Sequence, residues 1–222
     1  MTQQESTKPD RNPAHPLLAR LYDPVMAIPE RTVFANHRTY LAAELSGSVL
    51  DVGSGTGAMF PHFEAVENDL TVSAIEPDPY MRRHARERAA AVDIDVTVVD
   101  ARAETLPFPE NRFDAATAAL VFCTIPDTEA ALDEIARVLR PGGEFRFVEH
   151  VRGRGGVGFV HDALAPGWYH VAGGCNLNRQ TSELFRQDGR FELLDFTRFE
   201  SGVSQLLPLV RGRMERRRES WF

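Results

Sequence analysis

The chain has 222 residues, a formal net charge of −7, 43% hydrophobic residues and 26% charged residues, which predicts one globular domain and excludes extensive disorder. It has no apolar run of the ~18 residues that a membrane-spanning helix needs, its amino terminus is too polar for a secretory signal, and two cysteines give no disulfide framework. Because the acidic balance disfavours nucleic acid as a partner, we predict a cytoplasmic single-domain protein without a nucleic-acid partner.

The first half of the chain predicts a helical region followed by alternating strands and helices. Residues 1–13 are polar and predict a disordered tail, whereas residues 14–45 predict helices that Pro16, Pro24 and Pro29 divide, with one uninterrupted helix over 31–45. The predicted strands are 48–52, 71–76, 96–99, 114–120 and 144–150, and the clearest helices between them are 79–91 and 128–139. This alternation predicts the α/β class, with a doubly wound, mostly parallel sheet.

The last third of the chain has a weaker pattern. Residues 151–178 are rich in glycine and aromatic residues and predict an irregular insertion on the substrate side of the domain. A helix over 181–187, a strand over 191–199 and an apolar run at 206–210 complete a single domain over residues 14–214. The basic residues of 215–222 predict a solvated tail.

The strongest local signal is the segment VLDVGSGTG at 49–57, which follows a predicted strand and opens a helix. Glycines at 53, 55 and 57 allow a sharp turn and a close approach of a ligand to the backbone. By itself this loop does not distinguish NAD from other ligands that contain adenosine.

Three acidic residues refine that prediction. Glu76 ends the second strand, roughly 20 residues beyond the loop, where a carboxylate can accept hydrogen bonds from both ribose hydroxyls. Asp100, at the end of the third strand, could accept a hydrogen bond from the adenine amine. Asp51 lies within an apolar strand, where a carboxylate is costly unless a cation is near. A sulfonium or α-ammonium group supplies that cation and a pyrophosphate does not, so Asp51 favours S-adenosylmethionine over NAD.

Four segments resemble the class I S-adenosylmethionine-dependent methyltransferases: VLDVGSGTG at 49–57, IEPDPYM at 75–81, VDARAETLPFPENRFDAA at 99–116 and LRPGGEFRFVEH at 139–150. The resemblance implies a Rossmann-like methyltransferase fold, with a seven-stranded sheet in the order 3-2-1-4-5-7-6 whose last strand is antiparallel. It also implies S-adenosylmethionine as cofactor and S-adenosylhomocysteine as product. The cofactor-binding residues that it implies are Asp51, Gly53, Gly55, Gly57, Glu76, Pro77, Met81, Asp100, Ala101, Leu120 and Val121.

A narrower resemblance covers the second half of the chain. VEHV at 148–151, PGWYH at 166–170 and GGCNLNRQT at 173–181 are similar to the alkyl-thiol S-methyltransferases, which implies a small-molecule thiol as acceptor. The residues assigned to the substrate are Trp168, His170, Cys175 and, in a helical lid over residues 14–45, Tyr22.

Methyl transfer to a thiol requires little beyond alignment, because a thiolate forms readily and is strongly nucleophilic. A hydroxyl or carbon acceptor needs a base, and His150, at the end of the fifth strand, is the candidate base or substrate contact. Cys123 is expected to pack at a strand end, and the irregular spacing of His161, His170 and Cys175 predicts no metal site.

Three alternatives to thiol methylation stay open. One is a methyltransferase that acts on a quinone-like or other small oxygen or carbon acceptor. Another is a protein that binds S-adenosylmethionine without catalysis. The third is an NAD(P)-dependent oxidoreductase, against which stands the absence of a Tyr-x-x-x-Lys pair in a chain whose one lysine is Lys8.

Overall fold

A computed structural model describes residues 13–200 and 205–218, so the tail predicted at 1–13 lies outside the described residues except for Pro13. The strands are β1 Gly47–Val52, β2 Leu70–Ile75, β3 Asp95–Val99, β4 Phe113–Ala119, β5 Leu139–His150, β6 Phe191–Phe199 and β7 Leu209–Arg216. The helices are α1 Pro16–Pro29, α2 Ala35–Ala42, α3 Phe60–Glu64, α4 Pro79–Ala89, α5 Thr128–Val138, α6 Gly155–Val171 and α7 Thr181–Gln187. None of these helices is long and apolar enough to cross a membrane.

All seven strands form one sheet in the order β3-β2-β1-β4-β5-β7-β6, which confirms the predicted fold and strand order. Strands β1 to β5 are parallel to one another, whereas β7 is antiparallel to its neighbours β5 and β6. The carboxyl ends of the parallel strands therefore meet at one edge of the sheet. In open α/β sheets this edge is where ligands bind.

Each face of the sheet carries its own apolar core. On one face, residues of α2, α3 and α4 pack on the sheet, and Phe60 and Phe63 of the short helix α3 are fully buried there. On the other face, α5 and α7 cover a cluster of phenylalanines, where the rings of Phe147 and Phe185 lie 4.2 Å apart between centroids. The central strands are thus buried on both faces, which leaves the strand ends as the place for chemistry.

The amino-terminal helices differ from the prediction that prolines divide them. Helix α1 continues through Pro24 and ends at Pro29, and a π-helical turn over Glu30–Phe34 joins it to α2. Proline has no amide hydrogen and crowds the carbonyl four residues earlier, so a wider turn beside Pro29 lets the helical path continue. The predicted uninterrupted helix over 31–45 is therefore wrong at both ends, since α2 begins at Ala35 after the π-helical turn and ends at Ala42.

Two expectations for the second half were also wrong. Residues 151–178 contain the helix α6 and are not wholly irregular. Strand β7 extends to Arg216, so the predicted basic tail at 215–222 begins too early. Along β7 the buried residues Val210, Gly212 and Met214 alternate with the half-buried Arg211 and Arg213, because a strand turns alternate residues to opposite faces.

Candidate active site

The loop after β1 is shaped by glycines with positive φ. Gly53 has φ = 66°, and a Cβ there would overlap the side chain of Val121. Gly55 has φ = 57°, and among the described residues no atom lies within 4 Å of the place where its Cβ would stand. Gly53 is thus required by packing, whereas Gly55 leaves open space in front of the loop where a ligand can approach the backbone.

Glu76, at the end of β2, is held by two backbone groups. Its Oε2 accepts a hydrogen bond from the amide of Gly55 at 2.9 Å, and its Oε1 accepts one from the amide of Asp78 at 2.9 Å. Burial raises the pKa of Glu76 to about 7, although both amides favour the charged form. A carboxylate fixed in this way, directly beside the glycine loop, fits the two vicinal hydroxyls of a ribose.

Asp51 is buried in β1 with one oxygen unsatisfied. Its Oδ1 accepts a hydrogen bond from the hydroxyl of Thr117 at 2.8 Å, and its Oδ2 has no partner among the described residues. Burial raises the pKa of Asp51 to about 6, while Thr117 and the charge of Arg38 lower it. A buried carboxylate oxygen without a partner is expensive, so this position fits a ligand with a positive charge.

The predicted adenine residues surround the start of α4. Asp78 caps that helix, because its Oδ1 accepts a hydrogen bond from the amide of Tyr80 at 2.8 Å. Aspartate is a preferred residue at the amino-terminal cap of a helix. Arg82 donates to the carbonyls of Glu76 and Pro77 and to the carboxylate of Asp100, which ties the ends of β2 and β3 together. Beside them, the predicted adenine contacts Met81 and Ala101 are buried.

The chain turns sharply after β4, where the cover over the ligand was predicted. Leu120 has φ = 60°, a conformation that is strained for a leucine. The next amide, that of Val121, donates to Oε1 of the buried Glu149 at 3.0 Å. Burial raises the pKa of Glu149 to about 7. This turn directs the loop after β4 toward the end of β5.

Helix α1 is held against the glycine loop by hydrogen bonds. The carboxylate of Asp23 accepts hydrogen bonds from Thr56 in that loop at 2.6 Å and from Arg88 of α4 at 2.7 Å. At the start of α1, the amide of His15 donates to Asp78 at 2.7 Å. Tyr22 is half-buried in the same helix, and burial raises its pKa to about 12. These contacts hold the helix beside the glycine loop and the start of α4.

At the carboxyl ends of β4 and β5, His150 and two cysteines meet. Nε2 of His150 lies 3.0 Å from Sγ of Cys175, and this nitrogen and the sulfurs of Cys123 and Cys175 all lie within 4.8 Å of one another. Hydrogen bonds from Cys123 and His150 hold the pKa of the Cys175 thiol well below its usual range. The contact with Cys175 and burial raise the pKa of Cys123.

The structure brings some of the predicted substrate residues to this cluster and not others. Trp168 lies against Cys175 and further lowers the pKa of that thiol, while 41% of the Trp168 side chain remains exposed. His170 is exposed, and its ring packs edge-on against Tyr169. His161 is a structural residue, because its ring bridges the amide of Gly153 and the carbonyl of Leu206.

Cys123 was missed by the sequence interpretation, which assigned it to packing. The signal that could have identified it is its place just after β4, at the same edge of the sheet as His150. Arg38 was missed as well. This arginine of α2 is buried, and its Nε and Nη2 donate hydrogen bonds to the carboxylate of Glu30. Its positive charge acts to lower the pKa of both Asp51 and Tyr22.

Comparison with known proteins identifies relatives of the chain. A family profile described as a methyltransferase domain matches residues 50–147. Over 166 residues the chain is 31% identical to the thiol S-methyltransferase TMT1A of Homo sapiens, with 72% of this chain and 67% of that protein covered. Over 129 residues it is 33% identical to the ubiquinone/menaquinone biosynthesis C-methyltransferase UbiE of Shewanella frigidimarina, with 56% of this chain and 51% of that protein covered.

A solved structure has the same fold. Geranyl diphosphate C-methyltransferase from Streptomyces coelicolor, in complex with Mg²⁺, geranyl diphosphate and S-adenosylhomocysteine, superposes with a TM-score of 0.67. The match covers 95% of this chain and 88% of that chain at 13% identity. At this identity the likeness concerns the fold and not the acceptor.

Proposed function

Because the chain belongs to the class I S-adenosylmethionine-dependent methyltransferases, we propose that the acceptor of its methyl group is a small-molecule thiol. The cofactor is S-adenosylmethionine, which supplies an activated methyl group. The similarity to a thiol S-methyltransferase over 72% of the chain supports a thiol, and the net charge of −7 suits a small acceptor in the cytoplasm better than nucleic acid.

The observation that carries the proposal is the contact of 3.0 Å between His150 and Cys175. A hydroxyl or carbon acceptor requires a strong base with a free nitrogen toward the substrate. Here Nε2 of His150 faces the Cys175 thiol, and Nδ1 is buried without a partner among the described residues, so neither nitrogen is exposed to act as a base toward an acceptor. A thiol acceptor needs only to lose a proton and to be aligned with the methyl group.

On the cofactor side, each residue has a role that its surroundings support. Asp51 meets the positive charge of the methionine part, and the glycine loop of residues 53–57 passes beneath it. Glu76 accepts the ribose hydroxyls. The adenine lies between the residues that follow β2 and β3, and Leu120 and Val121 cover it. Residues 14–45 form a helical cover over the cofactor.

On the acceptor side, residues 151–178 form the wall of the pocket. Trp168, beside Cys175, supplies an apolar surface next to the sulfur cluster, and Tyr22 closes the pocket from the side of α1. His170 lies at the outer end of α6, where it can contact a longer substrate. In the reaction, the thiol proton leaves to solvent and a sulfur lone pair forms the new bond to the methyl carbon. The bond from methyl to sulfonium breaks, and its electron pair remains on S-adenosylhomocysteine.

The test is turnover with a panel of acceptors. Purified protein is incubated with S-adenosylmethionine and with alkyl thiols, aromatic thiols or reduced quinones, and products are identified by mass spectrometry. We expect S-methylated products together with S-adenosylhomocysteine. Glu76→Ala should abolish turnover, whereas His84→Gln, at a half-buried position on α4, is the matched control and should not change it.

The similarity to UbiE over 56% of the chain favours a second candidate, C-methylation of a quinone-like acceptor. The same panel separates the two, because a C-methylated quinol with no S-methylated thiol would overturn the thiol proposal. Binding of S-adenosylhomocysteine without turnover of any acceptor would instead indicate a protein that binds the cofactor without catalysis.

A further inference from the structure

Three soft metal ligands converge at the edge of the sheet beside the cofactor loop. Cys123 comes from the loop after β4, His150 from the end of β5 and Cys175 from the segment after α6. Their side chains are 3%, 6% and 8% exposed, and their ligand atoms lie within 4.8 Å of one another. Two sulfurs and an imidazole nitrogen make a donor set that selects zinc and similar thiophilic metals over Mg²⁺ or Ca²⁺.

The spacing agrees with a metal between them. Tetrahedral zinc with bonds of roughly 2.3 Å to sulfur and 2.0 Å to nitrogen holds its ligand atoms roughly 3.5–4 Å apart. The three ligand atoms lie within 4.8 Å of one another. The distance of 3.0 Å between Nε2 of His150 and Sγ of Cys175 needs to increase by less than about 1 Å. Small movements of three side chains would therefore complete the site.

We propose that Cys123, His150 and Cys175 bind one Zn²⁺ ion and that the fourth position of this ion takes the sulfur of the acceptor. Zinc with three protein ligands and one open position is the arrangement of catalytic sites, whereas structural sites have four protein ligands. The identity of the fourth ligand rests on the proposed function, because it assumes a thiol acceptor. The approach lies beside Trp168, which touches Cys175 and is 41% exposed.

Charge around the cluster suits this occupant. Two cysteine thiolates neutralise Zn²⁺, and an acceptor thiolate adds one negative charge. Arg179 offsets that charge, because its guanidinium interacts electrostatically with both cysteines while it donates to the carbonyl of Phe122 at 2.7 Å. Binding of the acceptor releases its thiol proton to solvent. The acceptor sulfur then forms a bond to the methyl carbon as the bond from that carbon to the sulfonium sulfur breaks. The electron pair of the broken bond stays on the sulfur of S-adenosylhomocysteine.

Metal binding can be tested without turnover. Untagged protein is reduced with a phosphine, since a thiol reductant would occupy the site, and is stripped of metal with a chelator. Titration with Zn²⁺ against a chromophoric chelator should show one ion per chain. Cys123→Ser and Cys175→Ser should each weaken zinc affinity on the order of 100-fold or more, and His84→Gln should leave it unchanged. Circular dichroism and titration with S-adenosylhomocysteine verify that the cysteine variants are folded.

Substitution with Co²⁺ reports the ligands directly. We expect a sulfur-to-cobalt charge-transfer band and visible bands of tetrahedral cobalt, and a change in both when an alkyl thiol is added. A folded protein that binds no zinc, or binds it equally well in Cys123→Ser, overturns the site. A cobalt spectrum that does not change when an alkyl thiol is added overturns the proposal that the open position binds the acceptor sulfur.

Failure of this inference can be separated from failure of the proposed function. If metal-free protein methylates thiols as fast as the zinc-loaded protein, the metal role is refuted and the thiol acceptor stands. If the cobalt spectrum responds to thiols but no S-methylated product forms with any thiol, the metal site stands and the proposed acceptor is refuted.

Discussion

The raised pKa of Glu76 predicts that cofactor affinity depends on pH. In the free protein, burial raises this pKa to about 7, so near neutral pH a substantial fraction of the carboxyl is protonated. The ribose hydroxyls donate hydrogen bonds and therefore bind the ionised carboxylate. Binding must lower the pKa and release a proton, so affinity should rise with pH until the free carboxyl is fully ionised.

The size of the effect follows from the fraction of carboxylate that is ionised. With a pKa of about 7, about a tenth of the carboxyl is ionised at pH 6 and about nine-tenths at pH 8. The Kd for S-adenosylhomocysteine should therefore be about 10-fold higher at pH 6 than at pH 8. Asp51, whose pKa is raised to about 6, acts in the same direction at lower pH. Because Asp51 is itself about half protonated at pH 6, the change between pH 7 and pH 8 isolates Glu76 best.

The assay is calorimetric titration with S-adenosylhomocysteine in buffers of different ionisation enthalpy, which counts released protons. We expect about one proton or slightly more per binding event at pH 6, where Asp51 adds to Glu76, and almost none at pH 8. Glu76→Gln places an amide nitrogen against one of the two backbone amides that now donate to Glu76, so affinity should fall at every pH. The pH dependence of that variant should be lost. A Kd that is constant from pH 6 to 8, or an unchanged slope in Glu76→Gln, would refute the reasoning.

Three further predictions concern residues near the site and far from it. Gly53→Ala should lower the melting temperature by several degrees, because the new methyl group overlaps Val121 at a positive φ, as a thermal scan would show. Gly55→Ala should lower the free energy of unfolding by only about 1 kcal/mol but weaken binding of S-adenosylhomocysteine more than about 10-fold, since its methyl group enters the space proposed for the cofactor. A loss of binding free energy equal to the loss of unfolding free energy would contradict this. Tyr40→Phe removes a hydrogen bond of 2.5 Å to Asp195 and should cost about 1–2 kcal/mol in chemical denaturation, with methyl transfer unchanged.

Five of the seven strands could be predicted from sequence almost to the residue, whereas β5 begins five residues before its predicted start and β7 extends from Leu209 to Arg216 and not over 206–210. Strand β6 was predicted over its full length, and β1 to β4 lie within one residue of the predicted bounds, because buried parallel strands are short apolar runs between turn residues. Helix α6 could not be predicted, since its glycines and Pro166 have low helix propensity. The structure gives one reason for a glycine there: a Cβ on Gly158 would collide with the carbonyl of Gly153.

The two sides of the site differ in how far sequence could predict them. The glycine loop, Asp51 and Glu76 lie in short segments at a fixed spacing, so one local pattern places them together at neighbouring strand ends. Cys123 and Cys175 belong to distant segments that meet only because the sheet brings β4 and β5 side by side. No periodicity in the sequence encodes that convergence. The assignment of substrate contacts to residues 151–178 stays a prediction.

The position of β7 has a consequence for how the protein is made. Because β7 lies between β5 and β6, the strand that carries His150 lacks one of its neighbours until the residues after Leu209 leave the ribosome. During that interval β5 presents an open edge with unpaired backbone groups, a surface on which chains can join to one another. Chains that end before Leu209 should therefore aggregate, even though they carry the whole glycine loop.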